Sequence, residues 1–166
     1  SNGNVYVTDQ ACEVDPIQGG HISHHRVQKF IPNDDGTSYA FERMWDAGGN
    51  DEKFYNPSGI VVSRDDAGIE YVYIASLSDP DLFTFYYHYI HKFALDGEYI
   101  TTWYEAASDD PFSKPLGLAA DDNGSVYFVD SFNHRVLKFT AGGDLITSLG
   151  TIGSGPGQMS DFHYIA

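Results

Sequence analysis

Cysteine occurs once in 166 residues, as Cys12, so no disulfide can close within the chain and the redox compartment stays open. No apolar run reaches the roughly 18 residues of a membrane helix, and no membrane span is expected. No window reads as a long amphipathic helix. Lysine and arginine are also scarce, 9 against 24 aspartates and glutamates, for a formal charge of -15. A field of that sign repels phosphates before contact, which argues against nucleic acid and anionic membrane as partners. It suits divalent cations, basic partners, or an extracellular or secreted setting. Gly-x-Ser-x-Gly, a phosphate loop and a redox cysteine pair are all missing, which removes the common signatures of hydrolase, nucleotide and thiol chemistry.

What is abundant is aromatic: 12 Tyr and 11 Phe within a 42% hydrophobic composition favour strands. The clearest stretch runs Gly124-Ser125-Val126-Tyr127-Phe128-Val129-Asp130-Ser131-Phe132-Asn133-His134-Arg135-Val136-Leu137-Lys138-Phe139. It reads as two adjacent strands with a tight connection. The pair recurs as Val5-Tyr6-Val7-Thr8-Asp9 with His25-Arg26-Val27-Gln28-Lys29-Phe30, and more weakly as Tyr71-Val72-Tyr73-Ile74-Ala75-Ser76 with Ile90-His91-Lys92-Phe93. Turn residues precede each copy, at Asn2-Gly3, Asp65-Asp66-Ala67-Gly68 and Asp121-Asp122-Asn123-Gly124. Glycine supplies positive φ there and aspartate bonds back to the backbone, so the Asp-Asp pairs read as turn formers and not as paired catalytic carboxylates.

Further strands follow at 39–45, 99–104 and 145–149, and Pro57-Ser58-Gly59 and Pro115-Leu116-Gly117 each open a new one. The spacing from Phe112 to Met159 is 47 residues and from Phe93 to Phe139 is 46, whereas the earlier spacings, Phe54 to Phe112 and Phe30 to Phe93, are 58 and 63. The excess lies in two insertions between second and third strands, 10–24 and 77–89. Four short strands per unit and a base period in the forties match propeller blades better than helical solenoids.

Pro115-Leu116-Gly117-Leu118 through Asn133-His134-Arg135-Val136-Leu137-Lys138-Phe139 resembles the NHL repeat, and His25-Arg26-Val27-Gln28-Lys29-Phe30 is nearly as good a match. The middle copy departs, with Ile90-His91 read in place of His-Arg and Ser76 in place of the aspartate. The resemblance implies an all-β, NHL-type β-propeller with about three four-stranded blades, half of a ring of about six. The expected division is strands two to four of one blade in 1–45, full blades in 57–104 and 115–149, and the first strand of another in 162–166. It further implies a protein-interaction or structural module without catalysis. One family branch is a zinc-dependent peptidyl-hydroxyglycine amidating lyase, which makes such an enzyme the alternative. A histidine directly after the blade-opening proline would favour it, but Ser58 and Leu116 stand there, and His163 lies near a third such start.

The sequence offers three sets of candidate residues. Glu13, Asp15, His21, His24 and His25 crowd the first insertion, where His21 and His24 with a carboxylate are candidate ligands for a divalent cation, zinc or calcium. His25 itself is expected to make a structural hydrogen bond. The second insertion carries Asp79, Asp81, Phe83, Phe85, Tyr86, Tyr87 and His88, an aromatic surface suited to a protein, peptide or glycan. The two loops occupy equivalent positions and should be neighbours. Arg26 and Arg135 follow Asp9 and Asp130, as intra-blade ion pairs or, alternatively, as a grip on a ligand carboxylate. An open half ring would expose two apolar blade faces, so either the rest of the ring lies outside these 166 residues or a second copy completes it as a partner.

Overall fold

The computed structural model describes residues 3–14, 17, 21–46, 55–77, 88–106, 110–160 and 162–166, with backbone alone at 11–14 and 21–23. The fold is all-β and propeller-like, built from consecutive antiparallel sheets. The first holds β1 (Val5–Val14), β2 (His21–Pro32) and β3 (Tyr39–Trp45) in chain order. The second has β4 (Ile60–Arg64), β5 (Glu70–Ser76), β6 (Tyr89–Ala94) and β7 (Tyr99–Trp103). In the third, β8 (Pro115–Ala120), β9 (Val126–Asp130), β10 (Arg135–Phe139) and β11 (Leu145–Leu149) repeat that order. A short parallel ladder of β12 (Thr151–Ile152) and β13 (Gln158–Met159) follows.

Turn chemistry sets the hairpins. Asp121 Oδ1 accepts the amides of Asn123 and Ser125, and Asp65 Oδ1 those of Ala67 and Ile69, at 2.9–3.0 Å. Both turns close through a positive-φ glycine, Gly124 and Gly68. These aspartates are therefore turn formers.

The middle sheet is buried on both sides because strand residues alternate faces. Val72 and Ile74 of β5 pack with Val27 and Phe93 toward the first sheet, and Tyr73 and Ala75 join Phe112, Phe128, Leu137 and Phe139 toward the third. One contact recurs at both junctions. Trp45, ending β3, lies over Gly97 in the β6–β7 turn, where an added Cβ would come within 2.8 Å of the indole. Trp103, ending β7, covers Gly143 in the β10–β11 turn so closely that no Cβ fits. Lys92 and Tyr73 add polar bonds across the second junction, both donating to the Ala141 carbonyl at 2.7 and 3.2 Å.

Three expectations need correction. The 10–24 insertion is not a loop throughout: the β1–β2 ladder continues from Gln10 opposite His25 to Val14 opposite His21. Ala11, Cys12, Val14 and Ile22 suit a strand, and the hairpin extends the hydrogen-bond ladder past the blade. In the middle repeat the His-Arg place lies two positions earlier than Ile90-His91. Ladder register sets Ile90 at the place of Val136 and His91 at that of Leu137, so His88-Tyr89 stand where the third repeat has His134-Arg135. Finally, residues 162–166 form no ladder. They run beside β8, within about 3 Å of where a Gly117 Cβ would project, as residues 116–118 run beside Gly59. A first strand gains its bonds from the second strand of its own sheet, and none follows within the 166 residues.

Candidate functional site

The rim bearing both insertions is built on the corner between second and third strands. In the third sheet, Asp130 ends β9 fully buried. Its Oδ1 accepts the Ser113 amide at 2.6 Å, and its Oδ2 accepts Asn133 Nδ2 at 2.9 Å and Arg135 Nε at 2.8 Å. Arg135 then donates both terminal nitrogens to Asp110 at 2.8 Å. Burial works against the guanidinium charge, but the bonds to Asp110 and Asp130 outweigh it and raise its pKa. A 3-10 turn over Ser131–Asn133, with His134 left-handed at φ 54, lets so short a connection close. In the first sheet Asp9 Oδ2 accepts Arg26 Nε at 2.8 Å and Gln28 Nε2 at 2.7 Å. Both arginines thus hold aspartates of their own sheet; three of the five guanidinium donors of Arg135 are committed.

The middle corner is neutral. Ser76 and Tyr89 stand opposite one another where Asp130 and Arg135 do in the third sheet. Ser76 Oγ lies 2.7 Å from His91 Nε2, and His91 Nδ1 lies 3.0 Å from Thr102 Oγ1. Burial depresses the His91 pKa to about 4, which keeps the ring neutral. Sequence reasoning missed this cluster. Its signal was the replacement of aspartate by Ser76 together with a histidine at an apolar ladder position.

The roots of the two insertions meet. His25, the base of the first, packs its ring on Tyr55 with centroids 5.7 Å apart. Tyr55 in turn forms a bridge with Leu77, the base of the second, through a 2.8 Å backbone bond. Gln10 Nε2 also reaches the Pro57 carbonyl at 2.9 Å. His25 Nδ1 is enclosed without a hydrogen bond, so that nitrogen does not supply the structural bond expected of it. Its ring contact does the work, and burial lowers its pKa against the opposing pull of Asp9.

Of the contact residues, Asp79, Asp81, Phe83, Phe85, Tyr86 and Tyr87 lie outside the described residues, as does Asp15. His88 is described: it is half-buried, with Nδ1 enclosed and unbonded. Burial lowers its pKa, with Asp130 pulling upward and Lys114 downward, so it belongs to the platform below the insertion.

His21 and His24 both lie on β2, where the ladder pairs them with Val14 and Ala11. Among the described residues no three His, Cys, Asp or Glu side chains converge as a metal site. At the lyase-type position the backbone contacts of Gly59 and Gly117 align Ser58, Leu116 and His163, so one imidazole is present in three places. Ser58 Oγ is instead bonded to the carbonyls of Pro115 and Leu116 at 3.1 and 3.3 Å.

No curated protein matches the chain. The NHL repeat family profile matches residues 112–139, the stretch that leads through β8 and β9 to the end of β10. With the same strand order in the sheet before it, the chain is an all-β, propeller-like protein that carries the NHL repeat.

Proposed function

We propose that the chain is a non-catalytic protein-interaction module whose binding face is the rim formed by the two insertions, taking a protein or peptide, or else a glycan. The observation that carries this is the shared root at Tyr55: two insertions from adjacent sheets leave the scaffold side by side. The first projects about five ladder pairs beyond the Asp9–Arg26 corner, some 15 Å at strand rise. The third sheet bridges the same position with only Ser131–Asn133. Beneath them side-chain bonds lock the corners, buried at Ser76–His91 and part-buried at Asp9–Arg26, so ordering the platform costs little on binding. The aromatic composition of 77–89 supplies contact area with few rotamers, which suits protein contact. The acidic charge favours a basic partner and suits an extracellular setting.

The test replaces residues 10–24, and separately 77–87, by Ser-Phe-Asn, copying the third sheet's connection. Intact and shortened chains are then screened against displayed peptides and a glycan array. Ligands held by the intact chain and lost on shortening, with unchanged thermal unfolding, support the assignment. Ligands bound equally well by both shortened chains overturn it.

A further inference from the structure

Three of the described residues other than glycine have a left-handed backbone: Asn56 at φ 42, His134 at φ 54 and Lys114 at φ 56. Asparagine and histidine are among the side chains that tolerate this region, and lysine is not. Asn56 and Lys114 hold equivalent places, each directly before the proline that leads into a first strand, Pro57 and Pro115. The bend has a structural task, since the Ser113 and Lys114 carbonyls accept the amides of Phe132 at 3.2 Å and Ser131 at 3.4 Å. That task uses the backbone alone, and Asn56 is a residue suited to it. The fold therefore does not call for a lysine side chain at 114. Where that side chain lies is the rim. Lys114 Nζ stands 4.8 Å from the centroid of the Phe132 ring, and Phe132 is 64% exposed. Phe132 bonds to the Ser113 carbonyl as Leu77, the base of insertion 77–89, bonds to that of Tyr55. It thus holds in the third sheet the place from which that insertion leaves the second. Lys114 and Asp130 are also the charges that act on His88, where the insertion returns. Asp130 binds Ser113, Asn133 and Arg135, whereas the Lys114 ammonium has no hydrogen bond or ion pair among the described residues. Its three donors are open.

We propose that Lys114 and Phe132 extend the insertion face onto the third sheet and hold there an aspartate or glutamate side chain of the bound protein or peptide. Lys114 Nζ donates to the carboxylate, and the Phe132 ring covers the apolar stem beside it. A left-handed residue fixed against a proline has little backbone freedom left to lose, so the ammonium is presented at low cost in order. Backbone strain of this kind is kept where the side chain it carries is used. The charge of -15 draws in a basic partner over long range, whereas this contact is local and fixes the partner's register. The inference rests on the insertion face proposed above and deepens it.

Peptides selected from a displayed library on the intact chain test it, their affinities being measured against Lys114→Asn, Phe132→Ser and the two shortened chains. The selected peptides carry an aspartate or glutamate. Replacing it by asparagine or glutamine weakens binding to the intact chain about tenfold, as loss of a charged hydrogen bond does, and leaves binding to Lys114→Asn unchanged. Phe132→Ser weakens binding as well. Arg64→Gln makes the same change of net charge at the end of the second sheet away from Ser76, and leaves the affinities as they were. Lys114→Asn unfolds at an equal or higher urea concentration, because asparagine suits the left-handed backbone. Insertion-dependent peptides that lack an acidic residue, or that bind Lys114→Asn as tightly as the intact chain, overturn this inference and leave the insertion face standing. An equal loss with Arg64→Gln, or unfolding of Lys114→Asn at lower urea, overturns it too. If no peptide depends on either insertion, the face falls and this contact with it.

Discussion

Where its second strand ends, the third sheet carries a buried carboxylate that binds an amide, an asparagine and an arginine, whereas the second sheet carries Ser76 bonded to a buried neutral imidazole. The backbone register is the same in both. Two chemistries therefore close one corner, and they differ in what they demand. The ionic corner needs every partner, because a buried charge left unpaired is costly. The neutral corner needs the imidazole uncharged, and so is limited by pH. The connections above them differ too: the ionic corner is spanned by three residues, and the neutral one carries the insertion 77–89. Tyr89, in place of the arginine, removes the need for an Asp110-like partner near the insertion's root.

The largest effect should come from breaking the ionic corner. Asp130→Ala leaves Arg135, Asn133 and the Ser113 amide without their acceptor and should cost about 3–5 kcal/mol of unfolding free energy in urea titrations. Next is acid. Burial lowers the His91 pKa from the ordinary 6.5 to about 4 in the fold. Between those values the unfolded chain binds more protons, so stability is full above about pH 6.5 and falls as pH drops toward 4. The loss is on the order of 2–3 kcal/mol from His91, and the lowered pKa values of His25 and His88 act in the same direction. Urea midpoints measured from pH 7.5 to 4.5 read it directly.

Making the neutral corner apolar sharpens the comparison further. His91→Leu, the residue found at Leu137, strips Ser76 and Thr102 of their shared partner and should cost about 1–2 kcal/mol at pH 7. It should also flatten most of the acid dependence, an outcome that loss of packing alone would not give. The smallest change expected is Lys92→Met. Lys92 Nζ stands 3.8 Å over the Tyr71 ring and bonds a carbonyl, whereas Lys138 in the third sheet pairs with Asp121 at 3.0 Å. Losing the cation–π contact and one bond should cost about 1 kcal/mol, with little dependence on salt.

The repeat was legible because its signals are local: the glycine turns after Asp65 and Asp121, the apolar strand pairs, and the Asn133-His134-Arg135 corner. The turn role of the aspartates could be read for the same reason. The extended β1–β2 hairpin could not, since Gly19, Gly20 and the polar residues around them resemble a loop and only pairing across the insertion shows the ladder. The middle corner was misaligned because its arginine and aspartate are replaced together, leaving Tyr89 and Ser76 without a motif to mark them. The platform under the insertions was readable in part. Their adjacency follows from equivalent positions in neighbouring sheets, but the bridge that joins their roots runs through Tyr55, which no motif marks. Residues 162–166 carry an opening pattern without the partner that makes a ladder.

One binding titration tests the central claim that the two insertions form a single face. A ligand selected on the intact chain is measured against chains shortened at 10–24, at 77–87 and at both. If the roots joined through Tyr55 support one shared surface, each single shortening should cost nearly as much binding free energy as the double, a strongly non-additive cycle. Additive losses, or a loss confined to one insertion, would contradict it and separate the two insertions into unrelated elements.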